Sequence, residues 1–401
     1  VKIKISIYIT KMNEEESFFQ NNNNIHSIFL KESLNFIPNR IFYNCQLITE
    51  IKIPSSVTTI GDLSFYGCSS LIHVTIPNSI VSIGCNAFEG CTSLEHVLIP
   101  DSITMINSST FCGCSSLKEV VIPNTVTQIG RNCFKECKSL KSISIPPSIL
   151  IIGDNAFLGC SKLLEISIPS SMISLGMHVF RDCISLTQIS IPFMAPNIRR
   201  YSFNGCSSLE EISIPASVSE IEDFAFDGCL SLNKISLPPS LVEIGRSAFS
   251  RCSSLTEITI PSSVTSISDN AFWGCLKLKE INIPSSVFFI GHYAFCGCSS
   301  LLKVVIPSSV TFIGVSAFYD CSSLEEITIL SQVTEIESST FCECISLKKI
   351  EIPSSVTSIK ECAFCGCSSL IEVSLPPSIN EICDYAFLEC KSLKEIVIPS
   401  S

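Results

Sequence analysis

Three groups of side chains in this sequence have types and spacings that could do chemistry. Cys342, Cys344, Cys365 and Cys367 form two C-x-C pairs, with Cys362 nearby, and four thiols can make a zinc site. His73 and His96 stand between Glu50 and Glu119 in a common column, and two imidazoles flanked by carboxylates can also hold Zn²⁺. The third group is a row of acids: Glu119, Glu165, Glu211, Glu257, Glu280, Glu326, Glu372 and Glu395 recur at one position of a repeat. An acidic row recruits a basic partner, or it simply keeps a surface soluble. Asn107-Ser108-Ser109 is in addition a glycosylation sequon.

The elements that carry these residues follow from a fixed period of 23 residues. Phenylalanine recurs in that step from Phe42 to Phe387, and cysteine follows three positions later, from Cys45 to Cys390. Proline keeps the same step, with Leu330 as the one substitution. A constant period of this length means a solenoid, because no single repeat can bury its apolar face alone. The recurring Phe is the expected core spine, and the cysteine file is expected to pack as small buried hydrophobes rather than as bridges.

Each rung reads as three pieces. Leu324-x-x-Ile327-x-Ile329 alternates like a short strand, and proline closes it in most rungs. Val310-x-x-Ile313-Gly314 is a second, shorter extended piece. Ala317, Phe318, Cys321 and Leu324 are spaced by three and four, which predicts a single inward-facing helical turn. Asp62, Ser108, Asp154 and Asp269 stand before such turns, where they are expected to cap them.

This frame decides between the candidate chemistries. Cys344 and Cys367 belong to the buried file. Cys342 and Cys365 share a column with Tyr66, Glu89, Lys135, Arg181 and Trp273, so they are expected to face outward without converging. The two histidine rings are expected to emerge parallel and solvated. No metal and no cofactor is therefore expected. No Gly-rich phosphate loop, HExxH or nucleophile elbow is present. The constant rung length leaves no inserted loop for a catalytic constellation, so no enzyme is expected. Phe288, Phe289, Phe312, Trp273 and Tyr319, and the odd rung with Phe193, Met194, Pro196, Arg199 and Arg200, are secondary contact candidates.

Composition narrows the partners. The net charge of −11 argues against nucleic acid. Apolar residues make up 46% of the chain but lie in columns, and no run reaches the ~18 residues of a membrane span. Val1–Thr10 alternates like a strand, unlike a signal peptide. Both chain ends read as cut, and open solenoid ends predict more chain or self-association.

The rung L-x-x-I-x-I-P-x-x-V-x-x-I-G-x-x-A-F-x-G-C resembles the BspA-like leucine-rich-repeat family. The resemblance implies a right-handed leucine-rich-repeat superhelix with a parallel β-sheet, short second strands and single helical turns. It divides the chain into a non-repeat strand and polar join, residues 1–25, and a solenoid of about sixteen rungs, residues 26–401, truncated at its C-terminus. It also implies a surface or secreted adhesion role with a protein or surface-glycan ligand. An intracellular scaffold, binding a protein through the acidic strand face, is the alternative. The partner-binding residues are then the eight glutamates named above with His73 and His96.

Overall fold

The computed structural model describes residues 5–9, 19–191 and 195–397. Backbone proximity groups the chain into two units, Val1–Ala195 and Pro196–Ser401. Each unit is a parallel β-solenoid built from the same rung.

In the first unit the rung is represented by strand Glu165–Ser167 and the shorter strand Ser174–Leu175. Glu165 pairs in parallel with Ser142 on one side and Gln188 on the other, and Ile166 pairs with Ile143 and Ile189. In the second unit Glu257–Thr259 lies beside Glu280–Asn282 in the same parallel register. The alternation Glu-Ile-Thr puts Ile258 inside and leaves Glu257 and Thr259 outside. Period-two alternation therefore becomes one buried residue between two exposed ones. After the strand, the Val264 N–H bonds the Pro261 carbonyl at 3.0 Å and turns the chain.

The phenylalanine file is the spine of both units. In the first, Phe42 and Phe65 stack at 5.4 Å, and Phe65 and Phe88 at 5.2 Å. In the second, Phe226 stacks on Phe203 at 5.3 Å and on Phe249 at 5.4 Å. The cysteine file is buried beside it. Each thiol donates to a phenylalanine carbonyl of the rung before, as Cys275 does to Phe249 and Cys68 to Phe42, both at 3.2 Å. Each of these two carbonyls also accepts a backbone N–H, from Cys45 and Cys252 at 3.1 and 3.2 Å, so the thiol fills its second lone pair.

Among the described residues the expected single helical turns do not form. Between residues 269 and 278 the N–H groups divide into two alternating sets. Trp273 and Cys275 bond back three residues, to Asn270 and Phe272. Asn270, Phe272 and Gly274 bond instead to His292, Ala294 and Cys296 of the next rung, each at 2.8 Å. Asn270 and Gly274 have φ of 56° and 70°, in the left-handed region. An α-helix needs every donor for its own i→i−4 ladder. Here the neighbouring rung takes alternate donors, so the spacing of three and four produces consecutive turns.

The expected caps are corrected in the same sense. Asp62, Asp154 and Asp269 do accept a backbone N–H, but from Cys85, Met177 and His292 of the following rung, at 2.7, 2.9 and 2.9 Å. They staple rungs together. The glycine column serves the same close approach: a Cβ at Gly314 would lie 2.5 Å from the His292 nitrogen.

At the N-terminus, Ile5–Ile9 pairs in parallel with Ile25–Leu30. Phe19 stacks on Phe42 at 5.8 Å, and its carbonyl accepts from the Cys45 thiol at 2.8 Å. The aromatic file thus reaches one period ahead of Phe42. Glu14–Glu16 of the polar join lie outside the described residues.

One ion pair, between an exposed arginine and a buried aspartate, stands out among the second unit's turns. Arg251 occupies a position usually held by glycine and keeps its positive φ, 58°. Its Nε and Nη2 donate to Asp227 Oδ1 and Oδ2 at 3.0 and 2.7 Å, while Asn204 Nδ2 donates to Asp227 Oδ2 at 2.9 Å. The Asp227 side chain is only 9% exposed. Arg251→Ala leaves that carboxylate with a single neutral side-chain donor. The expected loss is about 1–3 kcal/mol in urea unfolding, and an unchanged midpoint would refute the assigned role.

Candidate protein-binding face

The outward positions of the main strands form the candidate site, because the interior files leave them free to vary. In the first unit, Glu50, His73, His96, Glu119, Ser142, Glu165 and Gln188 are all exposed. His73 pairs with His96 in register, and His96 with Glu119. His96 Nδ1 lies 3.6 Å from Glu119, and its Nε2 lies 3.9 Å from Glu95. Lys118 reaches Glu95 at 2.8 Å, and that hydrogen bond chiefly holds the Glu95 carboxyl below its ordinary range. The histidines therefore belong to a solvated charge cluster. Among the described residues no group of three or more His, Cys, Asp or Glu converges to hold a metal ion.

In the second unit the acidic row is broken by lysine. Lys234, Lys303 and Lys349 reach Glu257, Glu326 and Glu372 at 3.4, 2.9 and 2.6 Å. Lys348 adds a pair with Glu325 at 2.9 Å. Glu257 and Glu280 stand directly side by side. Among the described residues, Glu165, Glu211, Glu280 and Glu395 make no ion pair. The acids of the row without an ion pair among the described residues are thus Glu50 and Glu165 in one unit and Glu211, Glu280 and Glu395 in the other.

Sequence reasoning missed a depression on the first unit's face, a cavity of about 760 Å³. Glu119, Glu165 and Gln188 border it, and Ser142, Ser144, Ser167 and Ser190 form its floor. The side chains are short where the columns carry serine, so the face sinks there. Val121, which also lines it, pairs with Leu98, and Leu98 is 65% exposed. The signal was present as the adjacent aliphatics Leu98 and Val121, followed by an unbroken run of serine from Ser144 to Ser236 in the same column.

Some of the secondary candidates are occupied, while Trp273 and Tyr319 are exposed. Phe289 and Phe312 stack at 5.2 Å, and His292 meets Phe312 edge-on at 5.8 Å. Phe288 is exposed. Arg199 and Arg200 pair with Glu222 and Asp223 at 3.2 and 2.7 Å. Phe193 and Met194 lie outside the described residues. The Asn107 amide of the sequon donates to the Ile83 carbonyl at 2.6 Å, so the folded chain already uses the atom a glycan would take.

The cysteine reading needs one correction. Cys344 and Cys367 do lie in the buried file and donate to Phe318 and Phe341. Cys342, however, is buried rather than outward-facing, and after desolvation the nearby Cys365 is the next cause that raises its thiol. Among the described residues the thiols still do not gather into a group that could hold a metal ion.

Parallel rungs with a constant apolar interior and a varied outer strand face define a leucine-rich-repeat solenoid. The BspA type leucine rich repeat region, in six copies, matches residues 12–141, 81–199, 174–302 and 289–401. The chain belongs to the BspA-type leucine-rich-repeat family. A leucine-rich repeat protein from Bacteroides ovatus is 32% identical, over 86% of this chain and 85% of that one, with a TM-score of 0.66. A leucine rich cell surface protein from Faecalibacterium prausnitzii is 28% identical over 88% of each chain, with a TM-score of 0.47. A comparison with curated proteins finds no match. No helix among the described residues is long and apolar enough to cross a membrane.

Proposed function

We propose that this chain is a non-enzymatic binding protein that engages a basic protein partner, or a surface glycan, through its outer strand face, in cell-surface adhesion. The observation that carries this reading is the contrast within each rung. Ile258 and Ile281 are interchangeable in the interior, while the exposed neighbours run through Glu, His, Ser, Gln and Lys. A structural role alone constrains only the interior. Repeat solenoids bind along such a continuous outer surface.

The two adjacent acids Glu257 and Glu280 test it. Replacing both with Lys reverses the charge at solvated positions without touching the core. Beads coated with the purified chain are expected to lose about 10-fold in adherence to cultured epithelial cells at low salt, with the circular dichroism spectrum unchanged. Equal adherence by the reversed variant would remove this face from consideration.

The thiols favour a second reading, an intracellular scaffold. All 24 cysteines are free, which suits a reducing compartment. Imaging the tagged chain on intact and permeabilised cells separates the two.

A further inference from the structure

Cys362 and Cys365 stand at the two ends of one turn, Cys362-Ala363-Phe364-Cys365. The Cys365 N–H donates to the Cys362 carbonyl at 3.0 Å. Such a turn holds its end Cα atoms within about 7 Å, which overlaps the ~4.4–6.8 Å span of disulfides. Cys365 lies close enough to Cys362 to add, after desolvation, to the raising of its thiol. Side chains at these two positions also meet in another rung, where Asn86 Nδ2 donates to Glu89 Oε2. Ala363 and Phe364 are fully buried and fix the turn from inside, while both thiol-bearing residues are partly exposed. Among the described turns, only this one has cysteine at both ends.

We propose that Cys362 and Cys365 form a surface dithiol site that reacts with low-molecular-weight disulfides of the glutathione class and closes an intraturn disulfide. One thiolate attacks a sulfur of the glutathione disulfide, forming a mixed disulfide and releasing one glutathione thiolate. The second cysteine thiolate then attacks the protein sulfur of that mixed disulfide and expels the other glutathione. The dithiol is oxidised by two electrons and the small disulfide is reduced. The two protein thiol protons end on the two glutathione thiols. Such exchange proceeds through the thiolate, with access deciding which sulfurs react.

Cys342 is the competing partner, and the geometry places it second. It is 8% exposed, and burial pushes its thiol up to about 12. It also comes from the adjacent rung, whose equivalent Cβ vectors run parallel, an arrangement ill suited to a bridge. The file thiols are fully buried and out of reach, as at Cys344. Cys85, Cys112 and Cys383 are partly exposed but have no thiol at the other end of their turns. They serve as internal controls.

The test treats the folded chain with excess oxidised glutathione at mildly alkaline pH, quenches with acid, alkylates in denaturant and maps the digest by tandem mass spectrometry. The expected product links Cys362 to Cys365 and carries no glutathione there, while reaction at Cys85, Cys112 or Cys383 stops at the glutathione adduct. In Cys362→Ser the adduct on Cys365 should persist about 10-fold longer or more, with the circular dichroism spectrum preserved. A Cys342–Cys365 bridge, a persistent adduct on Cys365 in the unmodified chain, or unreacted Cys362 and Cys365 would each overturn the assignment.

Discussion

Raising the pH to about 10 is expected to unfold the first unit, because its interior is filled with thiols that the fold keeps neutral. Cys68, Cys91, Cys114, Cys133, Cys137 and Cys160 are fully buried. Desolvation holds each thiol above its ordinary range. An unfolded thiol ionises near about 8.5. The folded value is the higher one, so the stability linked to these groups is complete below that pH and falls as pH rises above it. Each thiol that ionises only on unfolding contributes a slope of about 1.4 kcal/mol per pH unit. Six of them give about 8 kcal/mol per unit, against a typical domain stability of about 5–15 kcal/mol. Far-UV circular dichroism after overnight equilibration between pH 7.5 and 11, under a phosphine reductant, reads the loss. Retention of the native spectrum at the upper end would contradict the neutral, buried state of the file. A variant with Ala at these six positions should lose most of the alkaline sensitivity, whatever its stability at neutral pH.

The second large effect is expected in the aromatic file. Phe226→Ala should cost about 3–5 kcal/mol, from lost transfer energy and from the cavity left behind. Phe226 is fully buried, and its ring lies within 6° of parallel to Phe203 and 4° to Phe249. Phe226→Leu refills much of the volume and should cost less than about 1.5 kcal/mol. Phe288→Ala, at a position 51% exposed, should stay within about 0.5 kcal/mol. Urea unfolding of the three variants gives the ranking. Equal losses at Phe226 and Phe288 would mean that the file is not the spine. Because stability in a solenoid comes from each rung and its neighbours, the Phe226→Ala transition should also broaden or split.

Several features were legible in the residues themselves. Phe42 to Phe387 and Cys45 to Cys390 recur without a gap, and identical side chains at a fixed interval stack over one another. The strand positions were legible too, since Glu257-Ile258-Thr259 alternates out, in, out. Phe19 obeyed the same interval but was hidden by the polar asparagines that follow it. The spacing of Ala317, Phe318 and Cys321 fits one helical turn, yet the chain makes consecutive turns there. A one-dimensional pattern does not record which backbone acceptor a given N–H will choose. The acidic row was visible as a column, yet the pairing of Lys303 with Glu326 and the solitude of Glu280 depend on side-chain conformation.

The sequence by itself determined the repeat, the parallel register and the identity of the buried files. It could do so because period and hydrophobic pattern are properties of the order of residues alone. The tertiary structure decided the rest. It routed alternate turn donors to the next rung and sank the serine-floored depression below Glu119 and Glu165. Each of these outcomes depends on groups brought within a few ångströms by stacking, a distance that sequence separation does not encode.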